Sequence, residues 1–469
     1  MGLRLYNTLT KKVEDFNPIN DSLVKLFVCG PTVYDLSHLG HAKTYIQLDI
    51  LARIIKANEF ELLYLQNITD IDDKIIARSS EQQIRWQDLT SKYFDEYEKD
   101  MTSLNNTSVT KYAKATDYIE QIISQVSRLI DSKHAYIIKD DGIYFEITTF
   151  PKYGKLSGRT EIKENDAQTR IDDSEDKRGW NDFCLWKFSK PGEPVWDAPF
   201  GEGRPGWHIE DTAITESELG PQYDIHGGAV DLIFPHHEAE ITQMESISGK
   251  APLAKYWVHT GFLTANNEKM SKSTGNFSTV RQVIQDGHDP MAIRLFMLQS
   301  HYRSEINFSV ENLNAAANRL RNWRNIAALR HQVHDTIRDD DEKSTDNKSV
   351  SPYATSQAII EALNNDLDTP QALKIIDEAF SKVVGSQPGD VHQHALVELI
   401  DTIDEVLGLN LLSSTRDISD DAKKLILQRK QARINNDWNL SDKIRDELKE
   451  KYNIVIRDSQ TTSIWEYAS

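Results

Sequence analysis

The spacing of apolar residues near the start of the chain changes period twice. Leu23-Val24-Lys25-Leu26-Phe27-Val28-Cys29 is a short, β-rich apolar run that stops at Gly30-Pro31. That pattern predicts a buried strand running into a loop. From Gly40 the spacing turns helical. Ala42, Tyr45, Ile46, Ile50 and Ile54 share one face, which predicts a helix to about Ala57. Glu61 to Ile68 then reads as a second strand. Strand, loop, helix and strand make a βαβ unit, hence a parallel sheet with a right-handed crossover.

Farther on, Arg85 to Ser103 and Lys114 to Ser132 predict amphipathic helices, and Ala135 to Ile147 predicts a hairpin around Asp140-Asp141-Gly142. Pro151 to Pro205 is polar and turn-rich, as expected of an insertion wound around the sheet. Tyr223 to Gly228 and Tyr256 to Thr264 resume strands, with a helix from His236 to Gly249 between them. From Pro290 the period is helical almost throughout. The stretch 335–353 has few apolar residues and the acidic run Asp339 to Glu342, so it reads as a mobile loop or linker. Helices follow at about Thr355 to Asn365, Pro370 to Gly385 and His392 to Leu407, and a helical pair at Asp420 to Tyr452.

These elements predict an α/β fold: a Rossmann-like parallel-sheet domain with an insertion, followed by an all-α C-terminal region. The expected organisation is a first half of the parallel-sheet domain over 1–104, an inserted domain over 105–222 and its second half over 223–308. A helical bundle over 309–412 and a small domain over 413–469 complete it.

Composition sharpens the picture in three ways. With 469 residues, several domains fit. Two cysteines, Cys29 and Cys184, cannot form a disulfide framework and suit a reducing compartment. No apolar stretch is long enough to span a bilayer, so a cytoplasmic protein without membrane partners is expected. The net charge of -19 argues against a generally basic nucleic-acid binder, though a local basic face remains compatible with RNA.

Two motifs carry chemistry. His38-Leu39-Gly40-His41 falls between the first strand and the helix that follows. A helix N-terminus there offers free N–H groups and a positive dipole end to phosphate, and two histidines can donate to developing charge. Lys269-Met270-Ser271-Lys272-Ser273 follows Asn266-Asn267-Glu268 and reads as a loop whose lysines could clamp a polyphosphate. Either motif alone also fits an ordinary surface loop. In this order and this far apart they form a specific pair. A third group is metal-like: His236 and Glu240 lie four apart on a predicted helix, and Cys29 ends the first strand. Spacing alone does not join these three.

The chain resembles the class I aminoacyl-tRNA synthetases, and more narrowly the cysteinyl-tRNA synthetases. Besides the two motifs, the resemblance rests on Phe27 to Asp35, Asn67 to Ile75, Gly203 to Glu210, Asp224 to Gly228, Phe234 to Glu240 and Gly261 to Leu263. Asn436-Asp437-Trp438 and Ser441 to Arg445 extend it almost to the end. It implies ATP-dependent activation of cysteine and transfer to the 3′ end of tRNA(Cys), by a monomer or homodimer. His38, His41, Lys269 and Lys272 would be catalytic, and Gly40, His41, Lys269, Ser271 and Lys272 would hold ATP with Mg2+. Gly30, Thr69, Trp207, His226 and Asp231 would line the amino-acid pocket.

The family's zinc ion, held by two Cys, a His and a Glu, maps onto Cys29, position 211, His236 and Glu240. Position 211 departs from the pattern: it is Asp211. A hard carboxylate replaces a soft thiolate. That leaves ligation through oxygen, a weak three-ligand site, or loss of metal with a changed substrate. Ligation by Asp211 is the expectation, because the other three ligands are intact. In the tail, Arg429, Arg433, Trp438 and Arg445 combine charge and stacking surface suited to tRNA, although a hairpin with charged faces reads the same way. Two rivals share the core: a cysteine-activating ligase with a non-tRNA amine acceptor, of the mycothiol-pathway type, and a non-catalytic RNA-binding paralogue.

Overall fold

The computed structural model describes residues 2–159, 174, 176–265, 268–269, 278–332, 337–338, 352–385, 391–458 and 463–468. Contacts divide the chain into two compact units. One comprises Met1–Gly287, Ser300–Phe308 and Asn364–Leu367; the other comprises His288–Gln299, Ser309–Leu363 and Asp368–Ser469.

The first unit is built on a five-stranded parallel sheet, ordered Ala254–Thr260, Tyr223–Ala229, Leu23–Val28, Glu61–Ile68 and Lys111–Lys114. Helices cover both faces of such a sheet, so its strands read as near-continuous apolar runs. Leu26, Phe27, Val28, Leu65, Ile225 and Trp257 are all buried. The chain lays three strands outward from Leu23–Val28, then returns to place Tyr223–Ala229 on its other side. At that reversal the connections leave in opposite directions, and a crevice opens beyond the carboxyl ends of the two strands. Cys29 sits there, its N–H donating to the Gly227 carbonyl at 3.2 Å.

Three expectations need correction. Lys111–Lys114 is the edge strand of the sheet, and the helix after it is Ile119–Asp131. The 151–205 stretch is not merely polar winding. Phe183–Phe188 and Gly203–Pro205 extend the Ala135–Ile138/Gly142–Phe145 hairpin into a four-stranded antiparallel sheet. Phe183, Leu185 and Trp186 are buried against the Ile119–Asp131 helix side chains Ile122 and Val126. Those strands are short and flanked by Gly, Pro and charge, so local pattern concealed them. Finally, His236 and His237 precede the helix Glu238–Ser248, in a wide turn kinked at Phe234 (φ −138°, ψ 126°).

The second unit is mostly helical, with Pro290–Leu298, Val310–Ala327, Pro352–Asn364, Thr369–Gly385, Gln393–Leu407, Asp420–Ile434 and Trp438–Tyr452. It is not all-α: it ends in an antiparallel hairpin, Ile454–Asp458 with Ser463–Tyr467. Ile454, Ile456 and Trp465 of that hairpin close a small core with Ile418, Ala422, Ile444 and Leu448. Its Ile-Val-Ile run is β-branched and carried the strand signal. Most of the expected linker 335–353 lies outside the described residues. Among the described residues no helix is long and apolar enough to cross a membrane.

Candidate active site and metal centre

His38 caps the helix Leu39–Ala57: its Nδ1 accepts from the His41 N–H at 3.2 Å. This fold-back stacks the two imidazoles with centroids 3.7 Å apart. Gly40 makes the stack possible, because a methyl there would lie 2.7 Å from His38 Nδ1. His38, Gly40 and His41 line one wall of a pocket of about 340 Å³ at the sheet's crevice.

The chain that follows the second motif is tied to the first motif by main chain. Leu39 N–H donates to the Ser278 carbonyl and Val280 N–H to the Ser37 carbonyl, each at 3.0 Å. On the near side, Leu263–Ala265 pairs with Glu268–Lys269, Thr264 opposite Lys269. Ser271 and Lys272 lie outside the described residues, and for Lys269 only the backbone is described.

The same pocket is lined by part of a buried acid–histidine–thiol cluster. His236 Nε2 lies 2.9 Å from Asp211 Oδ2 and 3.0 Å from Glu240 Oε1. Cys29 Sγ donates to Glu240 Oε1 at 3.8 Å. Donor atoms of Cys29, Asp211, His236 and Glu240 all fall within 4.8 Å of one another, as do those of Cys29, His226, His237 and Glu240. The first set reaches the pocket through Cys29, Asp211 and His236; the second meets it only at Cys29.

The first set also fits a divalent cation better. Asp211 Oδ1 is buried with no hydrogen-bond partner among the described residues, a costly state that a cation would relieve. The other nitrogen of His236, Nδ1, is 2.7 Å from His208 Nδ1, an outer contact of the kind that orients a ligand ring. In the rival set His226 Nδ1 meets Tyr223 Oη at 2.7 Å and His237 Nδ1 meets His259 Nε2 at 2.8 Å, outer contacts of the same kind.

Burial and the cluster's own charges set its electrostatics. Burial, then Glu240 and Asp211, push the Cys29 thiol well up. Burial holds Glu240 at about 7 against the pull of His236. Burial works against the charged form of His236, but Glu240 and Asp211 outweigh it and raise that ring to about 10. Burial, then neighbouring imidazoles, drop His226 and His237 well below the usual histidine range, and burial takes His259 to about 3. A cation among these donors would invert the first three shifts, favouring thiolate, carboxylate and neutral imidazole.

The expected amino-acid residues divide. Gly30 lines the pocket where two strand ends converge: its N–H donates to Asn67 Oδ1, and a Cβ there would lie 1.7 Å from the Asn67 carbonyl oxygen. Thr69 lines it too, its hydroxyl donating to the Glu210 carboxylate. Trp207, 42% exposed, lies over His236 at 4.4 Å between centroids. Asp231 stands exposed on the pocket's edge. His226 is buried behind, 3.4 Å from Cys29 Sγ and 3.3 Å from Glu240 Oε2, and touches the ligand group rather than the pocket. Sequence reasoning missed His208, Glu210, His237 and His259. The first two sit inside the Gly203 to Glu210 segment and His237 adjoins His236, but nothing local says which rings face inward.

The four tail residues also divide. Arg429 is 2% exposed and grips Asp458 with both amino groups, at 2.8 and 2.6 Å. It is spent on the fold, because a buried guanidinium needs its carboxylate; as a tRNA contact it is corrected. Arg433 shares Asp458 at 2.7 Å and lies over Trp438 at 5.6 Å. Trp438 is 55% exposed, and Arg445 is half-exposed beside Asp442. Arg429→Met is expected to lower stability of this unit by about 1–3 kcal/mol, and Arg445→Ala to leave the melting temperature unchanged. Arg429, against a smaller opposing effect of burial, holds Asp458 down from its ordinary 3.8 to about 2. The pair's contribution is therefore complete above the ordinary value and fades as pH falls toward 2. Melting curves from pH 7 downward check this: the acid-labile part shrinks in Arg429→Met.

Comparison with known proteins gives the family and the fold. Residues 15–318 match the family model described as the class I (C) tRNA synthetase catalytic domain. The cysteine–tRNA ligase of Thermoplasma acidophilum is 42% identical over 99% of this chain and 100% of its own. That of Thermodesulfovibrio yellowstonii is 39% identical over 99% of each, and that of Legionella pneumophila 40% over 99% of each. Among solved structures, methionyl-tRNA synthetase of Mycobacterium tuberculosis with methionyl-adenylate superposes with a TM-score of 0.59 at 15% identity, covering 84% of this chain and 91% of that one. The LeuRS–tRNA–LeuAMS complex of Agrobacterium radiobacter gives 0.62 at 10% identity over 86% of each. These distant structures establish the fold; the near-full-length relatives establish that the chain belongs to the cysteine–tRNA ligase family of class I tRNA synthetases.

Proposed function

We propose that the chain joins cysteine to ATP as cysteinyl-adenylate and passes the cysteinyl group to the 3′ end of tRNA(Cys). One observation carries this reading: the paired histidines and Cys29, Asp211 and His236 line a single pocket. In the first step the cysteine carboxylate attacks the α-phosphorus of ATP, and the bond to pyrophosphate breaks with its electron pair. His38, His41, Lys269 and Lys272 stabilise the charge that builds up, with Mg2+ on the phosphates; catalysis is positioning and electrostatics. In the second step a ribose hydroxyl of the tRNA attacks the adenylate carbonyl and AMP leaves.

Asp231 or Thr69 holds the substrate ammonium, and Trp207 walls off the sulfur. Zinc, held by Cys29, Asp211, His236 and Glu240, would supply preference for a thiolate over a hydroxyl and lower the thiol pKa. Arg433, Trp438 and Arg445 are the tail residues proposed to meet tRNA, Trp438 by stacking.

The test is ATP–pyrophosphate exchange with cysteine and with serine, followed by tRNA charging. Exchange is expected with cysteine and at least about 100-fold less with serine, beyond what shape alone gives a near-isostere. Exchange without any tRNA charging would favour a non-tRNA acceptor. No cysteine-dependent exchange at all would overturn the reading.

A further inference from the structure

Lys43 sits two residues past His41, one turn into the helix, and is only 1% exposed. An ammonium in the interior is expensive unless its three donors are met. Here all three go to main-chain carbonyls from two distant segments: Gly261, Ser304 at 3.1 Å and Tyr302 at 3.3 Å. Burial pulls Lys43 down to about 8, offset in part by Glu305. A well-packed apolar side chain commonly serves stability as well as a buried charge does. A buried lysine bound only to backbone is therefore a fastener of defined geometry rather than a source of stability.

What it fastens is specific. Gly261, Phe262 and Leu263 line the pocket. That segment is locked to the Tyr302–Ile306 stretch by Gly261 N–H to the Tyr302 carbonyl at 2.8 Å and Ile306 N–H to the Phe262 carbonyl at 3.1 Å. It continues as Leu263–Ala265, whose partner strand carries Lys269. One residue along the same helix, the Thr44 hydroxyl meets that of Thr260 at 3.0 Å. The helix that presents His41 thus holds the Gly261–Leu263 segment at a fixed distance through Lys43 and Thr44.

We propose that Lys43 is a positioning residue for adenylate formation, fixing the Gly261–Leu263 wall and its strand pair against the histidine helix. It touches neither substrate nor metal. This rests on the proposed reaction, and a geometric fastener has its own signature. Misplacing reacting groups by about 1 Å costs about 100-fold in rate while leaving binding largely intact.

The experiment compares Lys43→Met and Lys43→Arg with the wild type in cysteine-dependent ATP–pyrophosphate exchange, with melting temperatures measured in parallel. Lys43→Met is expected to lose about 100-fold in kcat with KM for ATP and cysteine nearly unchanged, and Lys43→Arg, which keeps the charge and donors, to recover most of the loss. A folded Lys43→Met with wild-type kcat would overturn the inference, as would a loss confined to KM. Should Lys43→Met fail to fold, Lys43→Gln is read by the same kcat criterion. An inactive wild type would defeat the reaction itself; an active wild type with an equally active Lys43→Met defeats only the role of Lys43.

Discussion

His236→Ala is expected to strip the metal from the chain and cysteine activation with it. The ring is the only nitrogen donor of its set, and its Nε2 faces both carboxylates at 3.0 Å or less. Losing an outer partner of a metal ligand typically costs about 10–100-fold in affinity. Losing the ligand itself must cost more, so an affinity loss beyond about 100-fold is expected. His208→Ala, which removes the outer contact at 2.7 Å, should fall within that lower range. Metal content after dialysis, alongside the melting temperature, reads both changes without reference to activity.

The same measurement decides between the two overlapping donor groups. Metal retained in His236→Ala but lost in His226→Ala or His237→Ala would assign it to Cys29, His226, His237 and Glu240 instead. Asp211 adds a graded test. Asp211→Cys supplies a second soft thiolate and should hold zinc more tightly than the natural chain. Equal or weaker retention would mean that Asp211 is not a ligand.

His41→Ala should lower the turnover of pyrophosphate exchange by about 100–1000-fold, the usual cost of removing one donor aimed at developing charge. KM for cysteine should change little, because Cys29, Asp211 and His236, the residues proposed to meet the cysteine side chain, are a separate group of pocket residues. His38→Ala should show a second effect. That ring also caps the helix by accepting from His41 N–H, and losing such a cap costs about 1 kcal/mol. His38→Ala should therefore lose both rate and melting temperature, His41→Ala rate alone. A His41→Ala enzyme within tenfold of wild-type turnover would remove His41 from the catalytic set.

The βαβ start of the chain was legible because periodicity there is unambiguous: Leu23–Val28, Leu39–Ala57 and Glu61–Ile68 fall within a residue or so of their expected bounds. The Phe183–Phe188 strand was not, since its partner Gly142–Phe145 lies some forty positions earlier and no local pattern announces a long-range pairing. Arg429 and Arg433 look alike in sequence, both basic and on one helix. Only the path of the terminal hairpin, which brings Asp458 under them, buries one and leaves the other at the surface.

By itself the sequence determined the reaction class, because the His38–His41 and Lys269–Ser273 motifs are local strings read in order, and it set the metal question through Asp211. Tertiary structure decided everything that depends on residues far apart meeting. The strand order put Cys29 at the sheet's crevice, beside His226 of the neighbouring strand. The wide turn at Ile233–His237 aimed His236 at Asp211. Lys43 turned from an unremarkable helix position into a bridge between pocket walls. Such meetings follow from the register of a sheet and the burial of charge over the whole fold, and neither is written in any short stretch of chain.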